Sequence, residues 1–135
     1  MAAIKVSIII VNWNAGPQLK TCIDSITQFG GEHVENIIVV DNGSVDGSET
    51  LVEANPAVLL VRAGENLGFG AACNIGAQAG NAPYILFLNP DTCLKAGSLS
   101  IPLDFMEQPE NAKVGICGIQ LVDEKGEIRR SCSRY

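Results

Sequence analysis

Four short apolar runs, each closed by polar or glycine-rich turn residues, constrain the fold of this chain more than any other feature. Val6-Ser7-Ile8-Ile9-Ile10-Val11 gives way to Asn12-Trp13-Asn14-Ala15-Gly16-Pro17, and Ile37-Ile38-Val39-Val40 to Asp41-Asn42-Gly43-Ser44. Residues 58–62 lead into a glycine-rich stretch at 64–70, and Tyr84-Ile85-Leu86-Phe87-Leu88 ends at Asn89-Pro90-Asp91. Near-continuous apolar runs rich in β-branched residues suit strands covered on both faces. The segments between them have a different period. Over residues 17–29, Leu19, Cys22, Ile23 and Ile26 recur at helical spacing until Gly30-Gly31 breaks the pattern. Ser44 or Asp46 can cap a short helix over residues 47–54, and an Ala-rich helix follows the glycine stretch to about Gln78. Four β–α units in sequence predict an α/β fold, a doubly wound, mostly parallel Rossmann-like sheet with right-handed crossovers.

Beyond Asp91 the pattern predicts a helix over residues 99–108, with Pro102 in its first turn, and a strand over 114–122. A hairpin turn at Asp123-Glu124-Lys125-Gly126 then leads into residues 127–130. With 135 residues and 47% hydrophobic content, the chain is expected to form one compact domain, residues 1–135. The net charge of −6 argues against a nucleic-acid surface, which needs clustered Lys and Arg. Arg129, Arg130 and Arg134 read as a solvated basic end. The five cysteines, Cys22, Cys73, Cys93, Cys117 and Cys132, contain no CxxC pair and read as small buried hydrophobes rather than a zinc site. His33 reads as a surface loop residue. No secretory signal precedes them and the first apolar run is too short to span a bilayer, so a reduced, cytoplasmic compartment is expected.

In open α/β sheets, ligands lie beyond the carboxyl ends of the strands where the strand order reverses. An order of 3-2-1-4 would gather Asn12, Asp41, Asn89 and Asp91 around one crevice. Two roles are open to Asp41: accepting a hydrogen bond from a base or ribose, or closing an Asx-turn over residues 42–44. Asp91, placed by Pro90 at the end of an apolar strand, can offer a carboxylate to a hard cation shared with a diphosphate. Asn66-Leu67-Gly68-Phe69-Gly70 opens a helix whose free N–H groups favour phosphate. These glycines do not fit GxGxxG, and no Gly-Lys-Ser/Thr is present, so dinucleotide and P-loop readings fail.

Taken together, residues 6–14, 39–48, 66–76 and 86–92 resemble the family 2 glycosyltransferases of the GT-A fold, especially bacterial rhamnosyltransferase-like members. The resemblance spans nearly the whole chain. It implies transfer of a sugar from a nucleotide diphosphate donor, dTDP- or UDP-linked and with dTDP-rhamnose the first choice, to a saccharide or lipid-linked acceptor, assisted by Mg²⁺ or Mn²⁺. It implies that the backbone at Val11 and Asn12 lines the nucleoside pocket, that Asp41 bonds the pyrimidine, and that Asn66, Gly68 and Phe69 lie along the donor. Asn89-Pro90-Asp91 resembles the family's DxD motif, with Asp91 the metal ligand and Asn89 in place of the first acid. Cys73 stands where many relatives carry Arg. The family's catalytic base and acceptor surface belong to a second half, so the chain is expected to be a truncated, donor-binding part with no catalytic base. Any membrane association would come through the missing parts. The competing expectation is a non-catalytic nucleotide-binding or partner-binding module of the same fold. A nucleotidyltransferase is disfavoured because residues 12–17 contain no Lys or Arg to meet a triphosphate.

Overall fold

The computed structural model describes residues 2–129. The chain divides into two compact units, one running to Gly97 and the other from Ser98, where composition alone predicts a single domain. The first unit is built on β1 (Val6–Asn12), β2 (Val34–Asp41), β3 (Val58–Arg62) and β4 (Tyr84–Phe87), all parallel, in the order β3-β2-β1-β4. This is the order on which the convergence of strand ends depends. β1 is central and buried at every position, which is why its sequence carries no polar alternation.

Register assigns the faces. Ile9 pairs with Ile38 and Val11 with Val40, placing these side chains on one face, where Ala72 and Cys73 of α3 (Phe69–Ala79) complete a core cluster. α3 lies so close that a Cβ added at Gly76 would fall 2.3 Å from Ile9 Cγ2. Ile8, Ile10 and Val39 on the other face are fully buried. The remaining buried apolar stripe comes from Leu19, Cys22, Ile23 and Ile26 of α1 (Gln18–Phe29) and Val52 of α2 (Thr50–Glu53). Burying each large side chain contributes roughly 1.5–3 kcal/mol, so the paired faces carry most of the stability of this unit.

Several expectations change. β2 begins at Val34, three residues earlier than the apolar run, and α2 shrinks to a single turn. β4 is not a buried strand. It pairs only with β1 among the described residues, and Ile85 and Phe87 are 45% and 51% exposed. An apolar run does not reveal whether a strand has one neighbour or two. Cys93 and Cys117 are exposed rather than buried, while Cys22 and Cys73 are buried as expected. His33 closes a 3₁₀ turn, with Nδ1 2.9 Å from the Ile4 carbonyl.

The second unit contains α4 (Ser100–Glu107) and a two-stranded antiparallel hairpin, β5 (Leu121–Val122) with β6 (Ile128–Arg129). The long strand expected over residues 114–122 is reduced to its last two residues. Gly115 and Gly118 weaken the segment, and the short hairpin leaves it no partner for the rest of its length. The expected turn is present: Asp123 Oδ1 accepts the N–H groups of Lys125 and Glu127, and Gly126 supplies the positive φ. Arg130, Cys132 and Arg134 lie outside the described residues.

Candidate active site: a cleft at the carboxyl ends of the strands

The strand-end residues form two connected layers. In the buried layer, Asn12 Nδ2 lies 2.9 Å from Asp41 Oδ1, 3.1 Å from Ser44 Oγ and 2.8 Å from Ser48 Oγ. The carboxylate can only accept, so the amide must point its nitrogen this way. The opposite atom, Asn12 Oδ1, is buried with no partner among the described residues. Asp41 Oδ2 accepts the Ser44 N–H at 3.2 Å, the Asx-turn that its position allows. With Asp41 only 5% exposed and Asn12 fully buried, these two residues do not line the cleft. They hold together the turns of the residues that do.

The loop after β1 is tied to the loop after β2. Asn14, in the left-handed region at φ 53°, receives the Val45 N–H on its Oδ1 and donates its own N–H to Ser44 Oγ. Asn tolerates this backbone conformation better than most residues. Asp46 Oδ2 accepts the Gly16 N–H at 2.9 Å, and its Oδ1 accepts the Ser48 N–H. Hydrogen bonds from Ser48, then from Gly16, hold the Asp46 carboxyl below its ordinary value. A second tie joins the loop after β2 to the loop after β3. Asn42 donates from Nδ2 to Asn66 Oδ1 at 3.0 Å and accepts the Leu67 N–H on its Oδ1 at 2.9 Å. At Gly43, with φ 82°, an added Cβ would meet the Glu65 and Asn66 backbone within 3.0 Å, so the approach requires glycine.

These ties frame an open cleft of about 420 Å³. The end of β1 and the loop beyond it contribute Val11, Trp13, Asn14 and Ala15, and the start of α1 contributes Gln18. Asn42 lies on a second side, Asn66 and Phe69 on a third, and Asn89, Pro90 and Asp91 close the β4 side. Of the residues expected here from sequence, Val11, Asn66, Phe69, Asn89 and Asp91 line the cleft. Asn12, Asp41 and Gly68 do not, Gly68 being the residue before α3 with its N–H bonded to Asn66 Oδ1. Sequence reasoning missed Trp13, Asn14, Gln18 and Asn42. Trp13 carried a usable signal: it is the chain's one tryptophan, sits in a turn directly after a strand, and is 58% exposed.

The lining contains no Lys, Arg or His, and Asp91 is its single carboxylate. An anionic ligand would therefore meet net negative charge, which a divalent cation reverses. Among the described residues no group of three or more His, Cys, Asp or Glu could hold a metal unaided. The residues fit Mg²⁺ or Mn²⁺ in the other common arrangement, one carboxylate with phosphate oxygens filling further positions. The backbone of this loop is fixed from α1: Cys22 Sγ lies 3.7 Å from the Asn89 carbonyl, and the Leu94 N–H donates to Ser25 Oγ at 2.9 Å. Burial, reinforced by the nearby Cys93 and Asp91, pushes the Cys22 thiol up to about 12.

The model of glycosyl transferase family 2 matches residues 7–132 of this sequence. The chain belongs to that family. An N-acetylglucosaminyl-diphospho-decaprenol L-rhamnosyltransferase of Mycobacterium tuberculosis is 29% identical over 133 residues, covering 90% of this chain and 42% of that protein. An uncharacterised glycosyltransferase of Rickettsia prowazekii is 30% identical over 121 residues, covering 89% of this chain and 38% of its relative. The family 2 chain described here thus spans less than half the length of these curated relatives. Among solved structures, a mannosyltransferase of Pyrobaculum calidifontis, in complex with GDP-Man and Mn²⁺, superposes with a TM-score of 0.70 at 23% identity, over 78% of this chain and 33% of that one. S. aureus TarS superposes at 0.68 with 18% identity, over 78% and 20% of the two chains. These likenesses establish the GT-A type of fold. No helix among the described residues of this family 2 chain is long and apolar enough to cross a membrane.

Proposed function

We propose that residues 1–135 supply the donor-binding part of a glycosyltransferase that moves a sugar from a nucleotide diphosphate to an acceptor hydroxyl. The observation that carries this reading is the cleft: an exposed indole on one side, a lone carboxylate on the other, and side-chain amides between them. Trp13 offers a flat apolar face for a nucleobase, worth about 0.5–1.5 kcal/mol beyond simple burial if the rings stack. Val11 closes the nucleoside end. Asp41 is buried beneath the cleft in bonds to Asn12 and Ser44, so the expected pyrimidine contact passes to residues that line the cleft beside Val11 and Trp13. Asn66 and Phe69, at the uncapped start of α3, face the diphosphate, where the free N–H groups of the first turn and the helix dipole favour negative charge.

Asp91 is assigned to Mg²⁺ or Mn²⁺, with Asn89 beside it. When bound, the cation supplies Lewis-acid stabilisation of the departing diphosphate. The chain's own residues bind and orient the donor; the deprotonation of the acceptor is assigned to no residue here. The M. tuberculosis relative is named a rhamnosyltransferase acting on a diphospho-decaprenol acceptor, which makes dTDP-rhamnose and a lipid-linked saccharide the substrates to try first.

Since Trp13 is the chain's sole tryptophan, its fluorescence reports occupancy of the cleft directly. Titration with dTDP and UDP is expected to quench it, and adding Mg²⁺ is expected to tighten binding by at least tenfold. Asp91→Ala is expected to abolish that enhancement. Metal-independent affinity, or an unchanged metal response in Asp91→Ala, would refute the assignment.

A further inference from the structure

We infer that Asn42 is a positioning residue that fixes the polarity of Asn66, so that Asn66 presents only N–H donors to the donor nucleotide. The inference rests on the cleft being the nucleotide site proposed above. It follows from hydrogen-bond accounting that begins at a backbone group, whose role is not open to choice. The Leu67 N–H can only donate, so the Asn42 atom that receives it at 2.9 Å must be the amide oxygen. Asn42 is then obliged to point its nitrogen at Asn66, which must answer with its own oxygen at 3.0 Å. A second backbone donor agrees: the Gly68 N–H reaches the same Asn66 oxygen at 2.9 Å.

The Asn66 oxygen is thereby doubly occupied, while its Nδ2 has no partner among the described residues and belongs to an exposed side chain that lines the cleft. Rotating the amide by half a turn would set nitrogen against the Gly68 N–H and against the Asn42 nitrogen, forfeiting both bonds. Asn42 is 3% exposed and has its Nδ2 on Asn66 and its Oδ1 on Leu67, which makes it the rigid member of the pair. The surface that results offers two hydrogens and no lone pair. This suits an acceptor-only oxygen, the chemistry of a diphosphate, in a cleft whose lining has no cationic side chain.

The test is a double-mutant cycle on the folded chain, with UDP and Mg²⁺ as the probe and Trp13 fluorescence as the readout. Asn66→Ala is expected to weaken binding by roughly tenfold, the effect of one hydrogen bond to a charged group, and Asn42→Ala by a smaller factor of about threefold, because the Gly68 N–H still holds the Asn66 oxygen. In the Asn66→Ala background, Asn42→Ala is expected to change affinity by less than about twofold, because the group it orients is gone. An equal loss in both backgrounds would overturn the inference, since a merely structural role acts regardless of Asn66. Should Asn42→Ala fail to fold, the side-chain amide resonances of Asn66 in the ¹⁵N-labelled parent decide instead. UDP with Mg²⁺ is expected to shift both Asn66 amide protons, and resonances unmoved at saturation would contradict the inference. If the parent chain does not bind UDP at all, the donor-site reading itself fails, an outcome distinct from either of these.

Discussion

Replacing Gly76 by alanine is expected to destabilise the first unit, although alanine is the better helix former. Removing a mid-helix glycine gains about 1 kcal/mol in propensity. Against that, the new Cβ would lie 2.3 Å from Ile9 Cγ2 and 3.2 Å from Val40 Cγ2. Carbon atoms in contact prefer roughly 3.5–4.0 Å, so α3 would have to retreat by over about 1 Å. Neither neighbour can yield easily, since Ile9 and Val40 are buried, β-branched and held in adjacent paired strands. Overpacking of this kind costs typically 1–3 kcal/mol, leaving a net loss of about 1 kcal/mol. Gly70→Ala on the same helix is the control, because nothing lies within 4 Å of its added Cβ. That change is expected to be neutral or to stabilise by up to about 1 kcal/mol. Urea denaturation followed by Trp13 fluorescence reads this unit, and the two midpoints are expected to move in opposite directions or to differ by at least about 1 kcal/mol. Gly76→Ala matching Gly70→Ala would refute the claim that helix–sheet contact requires glycine.

Thiol chemistry is expected to divide the cysteines by burial. At pH 8 an aromatic disulfide reagent followed by mass mapping should label Cys93 and Cys117 first, while Cys22, pushed up to about 12, and Cys73, also raised by burial, react only on unfolding. Rapid labelling of Cys22 in the folded chain would contradict the packing of α1 behind the Asn89–Asp91 loop. For Asp46, whose carboxyl is held below its ordinary value of 3.8, the stabilisation is fully present above that value and lost as pH falls through the lower folded one. Trp13 emission is therefore expected to show an acid transition below pH 3.8 that Asp46→Asn removes. A transition unchanged in Asp46→Asn would show that Asp46 does not hold the Trp13 loop.

Where a sequence signal reports burial alone it was readable, and where it depends on partners it was not. β1, β3 and α1 stand within a residue of the apolar segments that the sequence defines, because turn formers and helix breakers bound each of them: residues 12–17 from the end of β1 to α1, Gly30-Gly31 after α1, and Gly64 beyond β3. The strand order was reachable only as a condition: polar residues at three strand ends make sense together if those strands are neighbours. The exposure of β4 and the shortness of β5 are not legible, because an apolar run looks the same with two neighbouring strands, one or none. At the site, Asp91 and Asn66 were legible as chemistry at strand and helix ends. Asn42 was not, since one more Asn in a turn carries no mark of the cross-loop bonds that occupy it. Asp41 illustrates the converse. Its position at a strand end was conspicuous, yet both oxygens serve the scaffold first.

The outer margin of β4, like that of β3 at the opposite edge of the sheet, is open to association between copies. A run of main-chain groups with no ladder partner among the described residues, beside Ile85 and Phe87 half open to water, is an adhesive strip. Charge opposes that association: dilute samples stay dispersed by the charge of −6, whereas crowding or added salt screens that repulsion and lets such strips meet.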